Sequence, residues 1–475
     1  MFRTNVMSAL LRRFAPGGHT GSPLRAATPI ASGALLLLCA LRPAAQMLTL
    51  AEAEHKTVTT GYTARISHFE EQKTLWEKRN VVSGYLPSAT YALTWLHMDP
   101  ATVERANFAT DIFSGFPGVD PGDIPRNAYR SSFSHEVKLN QPIFNGGAEL
   151  VAIGMAGSTT RLRTYQTREE RQRAVYETRT SYFDALVAHE SLALAQHSLA
   201  WTRLNLSRTR VRAESGELPP TDLLRWEAEI ATREAGEAGA KAARDLQFAA
   251  LANAMGVPLS RADTTWTLEP LEEFEAWYRR GPANLSGDVH DNLQIKATGA
   301  ATELAHGSRW LAVAAFLPKV NGFVSWSWPA WESLGPNTEE SGWTAGVSVA
   351  IPLTSGGRNL TGYHSSRYAH YVAQVTEERA RNGIAINLER IRRMYAAARI
   401  KTDAAARSNE LLLRQLDMMQ SRYVAGMVNQ VQLLEIHLAQ HRSRMDYVQA
   451  LLESLALESE FLLTTGSLEV FNGHD

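Results

Sequence analysis

Val137-Lys-Leu-Asn-Gln-Pro-Ile-Phe-Asn-Gly-Gly147 returns later in the chain as Val347-Ser-Val-Ala-Ile-Pro-Leu-Thr-Ser-Gly-Gly357. The shift from Pro142 to Pro352 is 210 residues, and the same shift carries Gly216 onto Gly426, Leu223-Leu224 onto Leu433-Leu434 and Gly256 onto Gly466. Landmarks spread over roughly 120 residues hold one register without a gap, which marks a duplicated unit.

Ahead of each Gly-Gly pair the sequence alternates with period two, which puts one set of side chains on each face of a sheet. Tyr129, Phe133, Val137, Leu139 and Ile143 share one side; Arg130, Ser132, Ser134, Glu136, Lys138 and Asn140 share the other. A partner strand precedes it, with Pro87, Ala89, Tyr91, Leu93 and Trp95 opposite Ser88, Thr90, Ala92 and Thr94. In the second copy Val320, Val324 and Trp326 oppose Lys319, Asn321 and Ser325. There Trp343, Ala345, Val347, Val349, Ile351 and Leu353 also oppose Gly342, Thr344, Gly346 and Ser348. The expected strand pairs are 85–97 with 129–143, and 316–328 with 341–353. Residues 99–125, rich in Pro, Gly and Asp, read as a loop.

After each Gly-Gly the pattern becomes helical. Ala185, Leu192, Leu199 and Leu206 recur every seven residues, a coiled-coil seam. Gly216 ends that helix, and Pro219-Pro220-Thr221-Asp222 suits the start of the next. Long helical hairpins are therefore expected over 147–258 and 358–466. In the second, Leu412, Leu416, Met419 and Tyr423 form one stripe, and Leu434, Leu438, Met445, Val448, Leu452, Leu455 and Leu462 another. Helices are also expected over 48–80 and 292–316, with a connector at 260–291.

The N-terminus reads as an export signal over residues 1–45. It has Arg3, Arg12, Arg13 and Arg25, then the apolar run 30–41, then Pro43-Ala44-Ala45. Cys39, the single cysteine, lies inside that run. The remaining chain divides into a first repeat, 46–270, a second repeat, 271–468, and a short tail, 469–475. Charge is balanced, with 48 basic and 49 acidic residues, so no basic surface argues for nucleic acid. No Gly-x-x-x-x-Gly-Lys-Ser/Thr loop is present, so nucleotide energy is not expected in this chain. His135-Glu136 and His189-Glu190 begin like a zinc-protease motif, but Leu139 and Ala193 stand where the second His would be. No metal, cofactor or catalytic residue is expected.

Four strands of about ten residues have the length of a tilted membrane strand. Four cannot close a barrel, and open edges are not tolerated in lipid. Either several chains close one barrel, or the strands belong to a soluble sheet in a periplasmic coiled-coil scaffold. Tyr91, Trp95, Trp326, Trp328 and Trp343, near strand ends, favour a bilayer interface.

The layout resembles the TolC-type outer membrane efflux and secretion channels. The resemblance rests on Leu86-Pro87 and Leu317-Pro318 at strand starts and on Gln141-Pro142-Ile143-Phe144-Asn145-Gly146-Gly147. It rests also on two hairpin tips, Arg212 to Leu223 and Arg422 to Leu434. It implies a mainly α fold with a membrane β-barrel: a homotrimer with a 12-stranded barrel and a helical tunnel into the periplasm. It implies no enzyme activity, and passage of small molecules or, alternatively, of secreted polypeptides. Implied partners are a periplasmic adaptor protein and an inner-membrane pump, docking at Gly216, Leu218, Gly426, Met427 and Val428. By position, the resemblance implies a gate in which Tyr423 meets Thr221 and Asp222, with an acidic ring at Gln432 and Glu435. Two departures stand out: Val428 occupies a basic position, and Gln432 an acidic one.

Overall fold

The computed structural model describes residues 47–120, 124, 126–216, 219, 221–258, 266–281, 289–331 and 341–471. The expected export signal with Cys39, and Leu218, lie outside them. A short strand β1 (Met47–Leu48) leads into helices α1 (Leu50–Thr59) and α2 (Tyr62–Ser83). Then come β2 (Ser88–His97), α3 (Pro100–Ser114), β3 (Ser131–Asn145), α4 (Ala148–Glu214) and α5 (Thr221–Ala254). After β4 (Thr267–Leu268) and α6 (Leu271–Arg280) the pattern repeats. It does so as α7 (Leu293–Ala314), β5 (Lys319–Trp331), β6 (Gly342–Ala350), α8 (Arg358–Val424) and α9 (Gln430–Thr465). The two copies match in length: α2 and α7 have 22 residues each, α4 and α8 have 67 each. At ~1.5 Å per residue each long helix runs about 100 Å.

Each strand-to-helix junction turns on its Gly-Gly pair. Gly146 and Gly147 have φ of 69° and 75°, and Gly356 and Gly357 have 62° and 82°. Other residues reach that left-handed region only with strain. A Cβ on Gly146 would also sit 2.4 Å from the Ala314 carbonyl oxygen.

The four long strands form one antiparallel sheet in the order β2-β3-β5-β6. Its register joins Ala89, Leu139, Val324 and Ala345 across one face, and Thr90, Lys138, Ser325 and Thr344 across the other. β2 and β6 are left as open edges. Beyond the sheet, α4 packs on α2 and α7 in its near half and on α5 and α9 in its far half, while α8 packs on α7 and α9. The near helices thus run α2-α4-α7-α8 and the far ones α5-α4-α9-α8. Every layer ends on the same two sides: β2, α2 and α5 on one, β6 and α8 on the other.

The apolar core lies midway along the helices. Tyr182, Phe183 and Leu186 of α4 meet Phe248 and Leu251 of α5, Phe274 and Trp277 of α6, and Leu451, Leu452 and Leu455 of α9. The Tyr182 hydroxyl donates to the Leu48 carbonyl at 2.8 Å and accepts from the Glu269 amide at 2.9 Å, and burial pushes its pKa up. Beside it Arg179 and Glu54, both buried, pair through two bonds of 2.6 and 3.0 Å.

Several expectations are corrected. Residues 99–125 are not simply a loop: α3 forms because Asp99 caps it, accepting from the Thr102 amide at 3.1 Å, with Pro100 in the first turn. The 260–291 connector contains α6, and the 48–80 helix is two helices broken at Gly61. A Cβ on Gly61 would lie 2.5 Å from the Thr57 carbonyl oxygen. In the far half of α9 the buried positions are Gln430, Leu433, His437, Gln440 and Ser443, not the Leu434–Leu438 stripe; Leu434 is half-buried and Leu438 is exposed.

Candidate functional site

Two regions bear on function: the faces of the sheet and the far ends of the hairpins. On the sheet, Tyr91, Val137, Trp326 and Trp343 are paired in one row across all four strands. Trp328 pairs with His135, and Trp95 stacks on Phe133 with centroids 6.4 Å apart. All five expected aromatics therefore share one face, with Leu93, Leu139 and Val324. The opposite face carries Lys138, Glu136, Asn140 and a series of Ser and Thr. Pairing does this: period-two alternation in each strand becomes a continuous face only when the register keeps like opposite like. His135 is the exception on the apolar face. Its Nδ1 lies 2.8 Å from the Tyr91 hydroxyl, so the ring is partly satisfied there.

At the far end, Gly216 and Gly426 adopt φ of 79° and 75°, which lets each long helix stop and reverse. The tips are neighbours: a Cβ on Gly426 would lie 3.9 Å from Arg212 Nη2. Met427 is exposed, as are Val424 and Leu224 nearby. Val428 is half-buried.

The expected gate residues are only partly brought together. The Tyr423 ring is buried and its hydroxyl lies 3.3 Å from Thr209 Oγ1 of α4. Thr221 and Asp222 occupy the first turn of α5, and among the described residues no hydrogen bond joins Tyr423 to either. Thr209 is the partner instead because the last turn of α8 faces the α4 stripe. Gln432 has another task. Its side-chain oxygen accepts from the Asn429 amide at 3.2 Å, while Asn429 Oδ1 accepts from the Gln432 amide at 2.9 Å. This capping box starts α9. Gln432 and Glu435, three apart, are both exposed on one side of α9. Asn429→Ala should cost the first turn of α9 about 1 kcal/mol. Amide exchange there should quicken about fivefold.

Periodicity alone misses the character of this region. The buried stripe of α4 turns from Ala185, Leu192 and Leu199 to Ser198, Thr202, Asn205 and Thr209. α9 answers with buried Gln430, His437 and Gln440, and α5 with Trp226. Among the described residues, Trp226 Nε1, Asn205 Oδ1, His437 Nδ1 and both polar atoms of the Gln430 amide have no hydrogen-bond partner. A core with unmatched polar groups is held less firmly than the apolar core midway along the helices. The sequence signal was present: four Ser, Thr or Asn at 198, 202, 205 and 209, spaced by three and four.

The outer membrane efflux protein family matches residues 122–257 and 289–459. The outer membrane efflux protein BepC of Brucella suis biovar 1 (strain 1330) is 24% identical over 299 residues, 60% of this chain and 63% of that one. The chain thus spans somewhat less than two thirds of that relative's length. Among solved structures, the Campylobacter jejuni CmeC outer membrane channel aligns with a TM-score of 0.70 at 13% identity, covering 89% of this chain and 87% of that one. The Vibrio cholerae outer membrane protein VceC gives 0.68 at 13% identity, covering 88% and 96%. The Neisseria gonorrhoeae MtrE outer membrane channel in its open state gives 0.65 at 16% identity, covering 88% of each chain. These likenesses share the helix-and-strand fold described above, and the family match extends over more than half of the sequence. The chain belongs to the outer membrane efflux protein family.

Proposed function

We propose that three copies of this chain form an outer membrane channel. In this reading it passively conducts small molecules from a periplasmic adaptor and inner-membrane pump to the outside. The observation that carries the reading is the common pair of open sides. A sheet edge in lipid must be paired, and β6 of one copy can pair with β2 of the next in the antiparallel sense already used inside the chain. Three copies, the number the TolC-type resemblance implies, turn a four-stranded sheet into a 12-stranded barrel. The helices carry complementary unpaired surfaces. α2 exposes Ile66, Phe69 and Trp76, and α8 exposes Tyr368, Tyr371, Val372 and Val375 at the same height below the sheet. Rows of exposed apolar residues at helical spacing mark interfaces.

The aromatic face then meets lipid, with Tyr91, Trp95, Trp326, Trp328 and Trp343 as interfacial anchors. Lys138 and Glu136 line the water-filled bore. The hairpins reach into the periplasm, where Gly216, Gly426, Met427 and Val428 form the adaptor-docking end and Leu218 belongs to the same tip. Three copies of Glu435 around one axis make an anionic constriction that favours cations. Tyr423 and Thr209 act as one weak latch between hairpins.

Purified trimers in planar bilayers test this. The wild type should give discrete low-conductance channels. Tyr423→Phe with Thr209→Ala removes a bond worth about 1 kcal/mol, so the open state should rise about fivefold. Absence of discrete channels from trimeric protein would refute conduction, and unchanged opening in the double variant would remove the latch.

A further inference from the structure

We propose that the paired imidazoles of His437 and His441 are an acid sensor, whose protonation loosens α9 from α4 and α5 in the far half of the hairpins. The consequence for opening rests on the channel reading above; the loosening does not.

His437 projects from α9 into the polar stripe and is 4% exposed. Its ring lies flat on the Trp201 indole, centroids 3.8 Å apart and planes 9° apart. Nε2 is 3.3 Å from Ser198 Oγ, and Nδ1 has no hydrogen-bond partner among the described residues. His441, one turn on, places its ring 4.3 Å away. The charged groups around the rings come in pairs. From α5 comes Arg233, paired with Glu229 of the same helix. From α4 comes His197, near His441. α9 itself adds Arg444, whose partner is Glu190 of α4 at 3.6 Å. α8 contributes the neutral Gln420, which accepts from Trp201 Nε1 at 3.4 Å. The two carboxylates named here, Glu229 and Glu190, each already face an arginine.

Packed in this way the rings resist protons. Burial, then His441 and Arg233, hold His437 down to about 3. Burial, then Arg233 and His197, hold His441 down to about 4. Once the helices part and water reaches the rings, they regain the ordinary imidazole range near 6.5. Protons therefore bind the loosened arrangement more tightly than the packed one. The packed arrangement is fully favoured above pH ~6.5 and loses ground as pH falls toward 3. At pH 5, His437 alone shifts the balance toward the loosened arrangement by about 30-fold. Asn205, Trp226 and Gln430, with polar atoms that have no hydrogen-bond partner among the described residues, lie in the same stripe, so water entering there can hydrate them.

The test uses the full chain with Cys39→Ser and spin labels at Leu204→Cys on α4 and Leu438→Cys on α9, both exposed positions. The separation between labels is measured from pH 7.5 to 4.5, beside single-channel recordings over the same range. Separation should widen below pH 6.5 and stay constant in the double variant His437→Phe with His441→Phe, which keeps an aromatic ring on Trp201 but cannot titrate at either position. His437→Gln with His441→Gln, polar and neutral throughout, should also be flat and covers the case in which the phenylalanine variant fails to fold. Constant separation in the histidine-bearing protein, or equal widening in the variants, overturns the sensor. Widening without any conductance at any pH upholds the sensor and refutes the channel reading instead.

Discussion

Glu54→Ala is expected to lower stability by about 3–5 kcal/mol, the usual cost of stranding one member of a buried ion pair. Glu54 lies at 0% exposure and Arg179 at 2%. The pair ties four segments together. Glu54 stands on α1, and Arg179 stands on α4 and donates also to Ser459 of α9 at 3.2 Å and to the Glu469 carbonyl at 3.2 Å. Glu54 Oε2 further accepts from the Phe471 amide at 2.6 Å. Alanine would leave the buried guanidinium without its counter-charge and the part-buried Phe471 amide without its acceptor. Glu54→Gln keeps one acceptor and should cost less. Urea unfolding in detergent measures both, and proteolysis after residue 466 should rise in the alanine variant. A loss under 1 kcal/mol would show that water reaches the pair.

The second large effect is on assembly. Val372→Asp with Val375→Asp places two carboxylates on the exposed row of α8. In a trimer they would be buried against α2 of the next copy, at a cost of several kcal/mol each. The expected product is monomer, read as mass in detergent by light scattering. Gln374→Asp, on another side of the same helix, should leave the trimer intact. A trimer formed by the Val372 and Val375 variant would move the interface elsewhere.

Much of this architecture is legible in the sequence because its signals are periodic. Strict alternation around Tyr91, Val137, Trp326 and Trp343 marks the strands, and the Gly-Gly pairs mark where strand becomes helix. Glycines at 216 and 426 mark the tips. What escaped had a physical cause. α3 hides in a Pro- and Gly-rich segment because its start depends on one cap, Asp99, while the turn residues follow its end. Gln432 looks like a pore position until the Asn429 capping box uses its amide. Tyr423 turns to Thr209 because helix phase over the last turn of α8 decides its neighbour, and a residue's chain position does not report that phase. The polar stripe of α4 contradicts the usual link between burial and apolarity, so a hydrophobic period cannot find it. That exception falls where the proposed channel would open, beyond the apolar core midway along the helices.

Covalent capture across the open sheet edges tests the central idea most directly. A cysteine on β2, Thr90→Cys, is combined with one at each position from Thr344 to Ser348 on β6, in a Cys39→Ser background, and oxidised in membranes. At the matching register the predicted result is a denaturant-resistant ladder of one, two and three chains that stops at three. No capture at any register, or a ladder running past three, would contradict a ring closed by three copies.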